Sequence, residues 1–304
     1  MKKLGDPNTA AIIRKLFICL FFIILIGAGI GIFLLRDPVL IVTDNSFNAL
    51  YGILRSRLKA VETSIILFRP VKPVLIGDNA SPEMVAFAVE EVKGSPYCIL
   101  FPYRYNEGAE RYAAQHPQVS VFILGERNQA SKSEGAVFVE TDVKRDLYRA
   151  GLCAGSIAGS MGKEILFFQN ETLSEEQREM FQAGLREQGI EEAPIYLSVS
   201  QEYSDNQNVA CVVMNGQASQ FLDQNLETPI ILFSWIDPGL TATSVKVVFD
   251  DSPWALVTRV VQMIIPGKNP EKSISSEITI LGRRISDKGI LRHLKNVRHN
   301  IPNI

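Results

Sequence analysis

An α/β fold of two lobes, carried behind a membrane-spanning helix, is predicted by three features of the sequence. From Val39 onward, apolar runs of strand length alternate with amphipathic helical segments, the pattern of βαβ units around a mostly parallel sheet. That series restarts near residue 136, so two α/β units of roughly a hundred residues stand in tandem. Ahead of both lies an uncharged apolar stretch, residues 16–35.

The apolar stretch reads LFICLFFIILIGAGIGIFLL, twenty residues without a charge. At ~1.5 Å per residue it crosses the ~30 Å hydrocarbon layer. A cleaved secretory segment is the other reading, but its apolar region is usually only ~7–15 residues and ends at a small-residue site absent here. Ile18 before Cys19 also departs from a lipoprotein signal. Lys2, Lys3, Arg14 and Lys15 precede the stretch, whereas Asp37 directly follows Arg36. Positive-inside logic therefore expects a cytoplasmic N-terminus and an extracytoplasmic main body on a single-pass anchor. Gly27 and Gly31 form a G-x-x-x-G able to pack such helices together.

The elements follow in order. VLIVT is a strand, and the helix after it opens at Ser46 with apolar positions Phe47, Leu50, Ile53, Leu54 and Leu58. SIILF or VLIGD supplies the next strand. SPEMVAFAVEEV is a helix with Ser81 as cap and Pro82 at its first position. YCILFPY, NEGAERYAAQHP and VSVFILGE continue as strand, helix and strand. GAVFVETD then leads into a long helix whose Ala150, Gly151, Ala154, Gly155 and Ala158 recur at helical spacing, a sign of close backbone packing. KEILFFQN, SEEQREMFQAGLREQG, APIYLSVS, NVACVVMNG, QASQFLDQN and TPIILFSWID complete the second series. The helix SPWALVTRVVQMII and the strand ISSEITIL are expected to return to the first lobe. The expected organisation is anchor 1–37, first lobe 38–142 completed by 252–282, second lobe 143–251, and a basic tail 283–304.

Several function classes find no support in the composition. The 31 basic and 33 acidic residues give no bulk attraction for nucleic acid. Three histidines, no H-E-x-x-H and no paired C-x-x-C offer no metal site, and neither a phosphate-binding P-loop nor G-x-S-x-G occurs. No cofactor is expected. Cys98, Cys153 and Cys211 sit in apolar runs and read as buried small hydrophobes. Adjacent carboxylates such as Glu90-Glu91 and Asp250-Asp251 point apart on regular elements, so the chain is not expected to be an enzyme.

Read from residues alone, Phe47 is either core or a stacking platform. Phe101 and Phe168 end apolar strands of the two units, where ligand contacts gather in open parallel sheets. Asp237 ends another strand, before Pro-Gly, where a turn aspartate is the plain alternative.

Collinear motifs carry a resemblance. Ser46-Phe47-Asn48 with Gly52, FPYRYNEGAERYAAQHPQVSVFILGE (101–126), VFVETDVKRDLYRAGLCAGSIAGSMGKEILFFQN (137–170), EEQREMFQAGLREQG and FSWIDPG (233–239) occur in sequence. In that order they resemble the basic membrane protein family, whose characterised members are purine-nucleoside-binding lipoproteins. The resemblance implies two Rossmann-like lobes of the type I periplasmic binding protein architecture, closing on a small molecule. It implies that Phe47 stacks on a planar base, that Asn45 or Asn48 bonds polar edges, and that Asp237 bonds hydroxyl or ring N–H groups. Asp44 stands where the family has a longer acidic loop, and VKVVFDDSP stands where it has a ligand-facing lysine near Lys246. The implied function is delivery of a nucleoside-like solute to an ABC permease. The alternative is a binding-protein-like sensor or protein-interaction module without transport.

Overall fold

The computed structural model describes residues 7–47, 52–92, 94–125, 135–159, 164–169, 172–198, 208–215, 227–233, 242–250, 252–265 and 273–299. The first helix, α1 (Pro7–Leu35), contains a 22-residue segment, Arg14–Leu35, long and apolar enough to cross a membrane, and none of it is buried against the protein.

The first lobe is built from β1 (Val39–Thr43), α2 (Ile53–Leu67), β2 (Val71–Leu75), α3 (Pro82–Glu90), β3 (Cys98–Pro102), α4 (Asn106–Gln115), β4 (Ser120–Leu124) and β5 (Ala136–Thr141). The second contains α5 (Val143–Ala158), β6 (Glu164–Gln169), α6 (Glu175–Glu187), β7 (Ile195–Ser198), β8 (Val209–Asn215), β9 (Ile230–Leu232) and β10 (Val245–Asp250). The chain then forms α7 (Pro253–Ile264), β11 (Ser273–Ile274), β12 (Glu277–Ile280) and α8 (Lys288–His299).

The described residues form two six-stranded sheets, ordered β11-β5-β4-β3-β1-β2 and β12-β10-β9-β8-β6-β7. Every described pairing is parallel except β10 with β12. A parallel sheet must be covered on both faces, which is why β1 and β3 are buried along their whole length. In the first lobe Leu40, Val42, Ile99 and Phe101 face α3 and α4. Val39, Ile41, Leu100 and Phe122 face Trp254, Leu256 and Val260 of α7.

Helix ends follow local chemistry. The Ser81 hydroxyl accepts the Met84 N–H, and Ser174 with Gln177 forms a reciprocal capping box. The small-residue helix is α5, and its glycines let α6 approach at backbone distance. A Cβ on Gly151 would lie 2.2 Å from the Phe181 carbonyl oxygen, and one on Gly184 2.1 Å from that of Tyr148. Burial raises the thiols of Cys98 and Cys153 to about 12, so both stay protonated.

The structure departs from the sequence reading in five places. SIILF closes α2, and the strand after it is Val71–Leu75. The helix expected from Ser46 is interrupted, since Gly52 adopts φ +80 and α2 starts at Ile53. Of the apolar positions of that helix, Ile53, Leu54 and Leu58 are exposed. Finally, 273–280 does not return whole to the first lobe, and the described part of the basic tail, 283–299, is not wholly solvated. β11 joins β5, whereas β12 pairs with β10 of the second lobe. Helix α8 buries Leu294 and Val297 in the second-lobe core with α5.

Candidate functional site

Parallel strands deliver their C-terminal ends to one edge of a sheet, where ligand sites of open α/β folds are found. In the first lobe β1, β2 and β3 bring Asp44, Asp78, Arg104 and Tyr105 together at that edge.

Asp44 directly follows β1 and is fully buried. Its Oδ1 accepts the Phe47 N–H at 2.6 Å, closing the turn that starts the helical segment. Its Oδ2 accepts the Tyr105 hydroxyl and lies 3.0 Å from Arg104 Nη1. Burial in such a place needs compensation, and three donors supply it. Burial, then the bond to Asp44, pushes the Tyr105 phenol well above its usual range, so it remains a donor.

Asp78, just beyond β2, forms the outer rim. One carboxylate oxygen accepts both the N–H and the hydroxyl of Ser46, at 3.1 and 3.3 Å. The Ser46 N–H, with further donation from Asn45, holds the Asp78 carboxyl below the usual carboxylate range. Arg104 Nη2 donates to the Asp78 carbonyl at 2.8 Å, tying the ends of β2 and β3. Its side chain keeps 44% of its surface exposed. The rim thus presents a guanidinium, a carboxylate, a hydroxyl and the exposed Asn45 beside one another. This set can bond hydroxyls and ring N–H or carbonyl groups of a small polar molecule. Among the described residues no group of three His, Cys, Asp or Glu is placed to hold a metal ion.

Of the residues expected at the site, Asp44 and Asn45 lie at this edge, with Asp44 turned inward. Phe47 is 5% exposed and belongs to the core cluster with α7, its ring edge-on to Trp254 at 5.5 Å and 72°. Phe101 and Phe168 are wholly buried in different lobes, their rings packed among core side chains. Phe101 packs beneath the helices α3 and α4, and Phe168 packs among side chains of the neighbouring strands, so neither ring is free for a ligand to stack on. Asn48 and Asp237 lie outside the described residues. Lys246 caps the chain near α8, donating to the carbonyls of Arg284 and Thr243 at 2.7 and 3.0 Å. Asp78, Arg104 and Tyr105 were missed. The signal for them was positional, in that IGD and PYRY immediately follow apolar strands.

A second polar cluster ties the lobes. Asp250, ending β10, is ion-paired with Arg55 of α2 and accepts the Ser252 hydroxyl and N–H at 2.6 and 3.1 Å. Ser252 begins α7, so this cluster fastens the chain where it passes between lobes.

No family model and no curated protein sequence matches the chain. Solved structures do match in fold. A "Transcriptional Activator of comK gene" from Bacillus halodurans superposes with a TM-score of 0.62 at 14% identity, over 88% of this chain and 98% of that one. A periplasmic ribose ABC transporter protein from Conexibacter woesei gives 0.52 at 12% identity, over 87% and 98%. An ABC transporter periplasmic solute-binding protein from Actinobacillus succinogenes, with bound D-allose, gives 0.53 at 11%, over 86% and 100%. The fold is that of type I periplasmic binding proteins.

Proposed function

We propose that this chain is a membrane-anchored, extracytoplasmic solute-binding protein that closes its two lobes on a nucleoside-like molecule and presents it to an ABC permease. The observation that carries the reading is the rim of Arg104, Asp78, Ser46 and Asn45 at the carboxyl edge of the first sheet. Paired carboxylate and guanidinium groups suit vicinal hydroxyls, accepting from one and donating to the next. The resemblance to the basic membrane protein family adds the purine base, and it adds Asn48 and Asp237 as further contacts. Phe47 supports the shelf from beneath in this arrangement, while Asp44 holds Arg104 and Tyr105 in position. Helix α1 supplies the anchor. Ligand contacts made only in the closed form would shift the lobes towards closure, which the membrane partner reads.

One observation favours a second reading, a sensor or protein-interaction module. Asp44 directs its bonds to the protein itself, as expected of a cleft that has stopped binding solute. The comK activator is a precedent for this fold under a name outside transport.

Thermal unfolding of the full chain in detergent, against nucleosides, bases and pentoses, separates the two. A ligand at a hundredfold excess over its dissociation constant adds ~2.7 kcal/mol to the folded state, a shift of several degrees. Arg104→Ala should abolish the shift and also lower unliganded stability, because it takes the cation from buried Asp44. Asn45→Ala at the exposed rim should instead weaken the shift with little effect on unliganded stability. Absence of a shift across the panel sinks the nucleoside reading in favour of the module.

A further inference from the structure

Helix α2 packs inward chiefly through polar and small side chains, with Leu67 against the core at its end, and turns most of its large apolar ones outward. Arg55 reaches Asp250, Lys59 Nζ donates to the Thr258 hydroxyl at 3.4 Å, the Ser64 hydroxyl accepts the Val71 N–H at 3.2 Å, and Thr63 is buried. On the opposite side Leu54, Leu58, Val61 and Ile65 are 72, 61, 56 and 71% exposed. An ordinary surface helix has these faces reversed.

The spacing of the outward residues is four, three, four, the seam of a two-stranded coiled coil. With Leu54 and Val61 at d and Leu58 and Ile65 at a, Arg57 falls at g and Glu62 at e. In a parallel pair a g residue meets the e residue five positions on in the other strand. Residue 57 plus five is 62, so Arg57 meets the Glu62 of a second copy, and symmetry repeats the contact. Within its own helix Glu62 touches Lys59 at 2.9 Å, an exposed pair of the weak kind.

The apolar surface continues past the helix. Exposed Leu75 on the edge strand β2 and a groove of about 560 Å³, lined by Ile53, Val61, Val71 and Trp254 among others, adjoin the seam. The C-terminal end of α2 also meets the anchor, with Phe68 edge-on to Phe33 at 5.7 Å. On that anchor Gly27 and Gly31 have nothing within 4 Å of an added Cβ, leaving a small-residue stripe open to another helix. Anchors of two copies in one membrane run the same way, in keeping with a parallel pair.

We propose that α2 is the seam of a parallel homodimer, in which Leu54, Leu58, Val61 and Ile65 of two copies interdigitate and Arg57 of each chain pairs with Glu62 of the other. The like-on-like seam and its opposite flanking charges select a second copy over a bilayer surface or an unrelated partner. The proposal is independent of what the polar rim binds.

The test uses the full chain in membranes, with Cys19→Ser to remove the exposed thiol. Leu58→Cys and Val61→Cys should give a disulfide-linked dimer under mild oxidation, whereas Met84→Cys, equally exposed on α3, should not. Arg57→Glu and Glu62→Arg should each lower the cross-linked fraction roughly threefold to tenfold, and the doubly reversed chain should recover it. Arg57, Leu58, Val61, Glu62 and Met84 are all exposed, so folding is not at risk, and circular dichroism checks it. No cross-link at either seam position would overturn the dimer, as bilayer contact alone predicts. Cross-linking between Leu54→Cys and Ile65→Cys in preference to like pairs would show an antiparallel seam and overturn the parallel arrangement. A doubly reversed chain as weak as the single variants would remove the charge pairing.

Discussion

The Ser276 N–H donates to both carboxylate oxygens of Asp146, at 2.9 Å each. Ser276 lies between β11 of the first sheet and β12 of the second, and Asp146 is in the first turn of α5, just after β5. One carboxylate thereby joins two of the three passages between lobes. Arg149, buried beside it, donates to the Ser276 carbonyl at 2.8 Å and pairs with Asp146 at 3.1 Å. The third passage is fastened by Arg55 and Asp250. These two clusters hold the crossovers between the lobes in register.

Asp146→Asn should destabilise the chain by about 1–3 kcal/mol at neutral pH, because it weakens the bonding of buried donors. Burial raises the Asp146 carboxyl from 3.8 to about 6, outweighing the Ser276 and Arg149 contacts. Between those values the folded protein keeps a proton that the unfolded chain has lost. This group's contribution is therefore full below about 3.8 and falls as pH rises to about 6. Denaturant titrations from pH 4 to 7 should show the gap between wild type and D146N narrowing with rising pH over that window, then holding constant. A gap that widens instead would contradict the raised value.

Phe47→Ala should act on stability. The ring is 5% exposed and edge-on to Trp254, so truncation opens a cavity and costs about 3–5 kcal/mol. Urea unfolding measures it. A near-silent Phe47→Ala that weakens ligand binding would restore the stacking role implied by the family resemblance.

Gly184→Ala places a methyl 2.1 Å from the Tyr148 carbonyl oxygen. Backbone cannot yield as a side chain can, so α5 and α6 must part, at a cost of about 1–3 kcal/mol or more. The melting temperature should fall by several degrees, while alanine at the open Gly77 should change it little.

Leu294→Ala tests whether α8 belongs to the second lobe. The side chain is wholly buried in that core, and its truncation should cost about 2–5 kcal/mol. A loose basic tail would tolerate the change without effect on unfolding.

What was legible in the sequence is what nearest neighbours along the chain decide. Alternating apolar runs marked most of the strands, Ser81 and Ser174 marked helix starts, and the stripe from Ala150 to Ala158 marked a close helix crossing. An uncharged span at 16–35 marked the helix long enough for a membrane. Periodicity also grouped Leu54 with Leu58 on one side of α2. It could not say that this side faces outward, because a period identifies residues that share a face and not what covers it. Nor could it divide 273–280 between two sheets, since β11 and β12 differ only in the partners that approach them. The candidate site was half visible for the same reason. Asp44 and Asn45 stood out beside a strand end, but Tyr105 lies 61 residues from Asp44 and Asp78 lies 32 from Ser46. Those polar groups meet only when parallel strands bring their ends to one edge, and that registration is a property of the folded sheet.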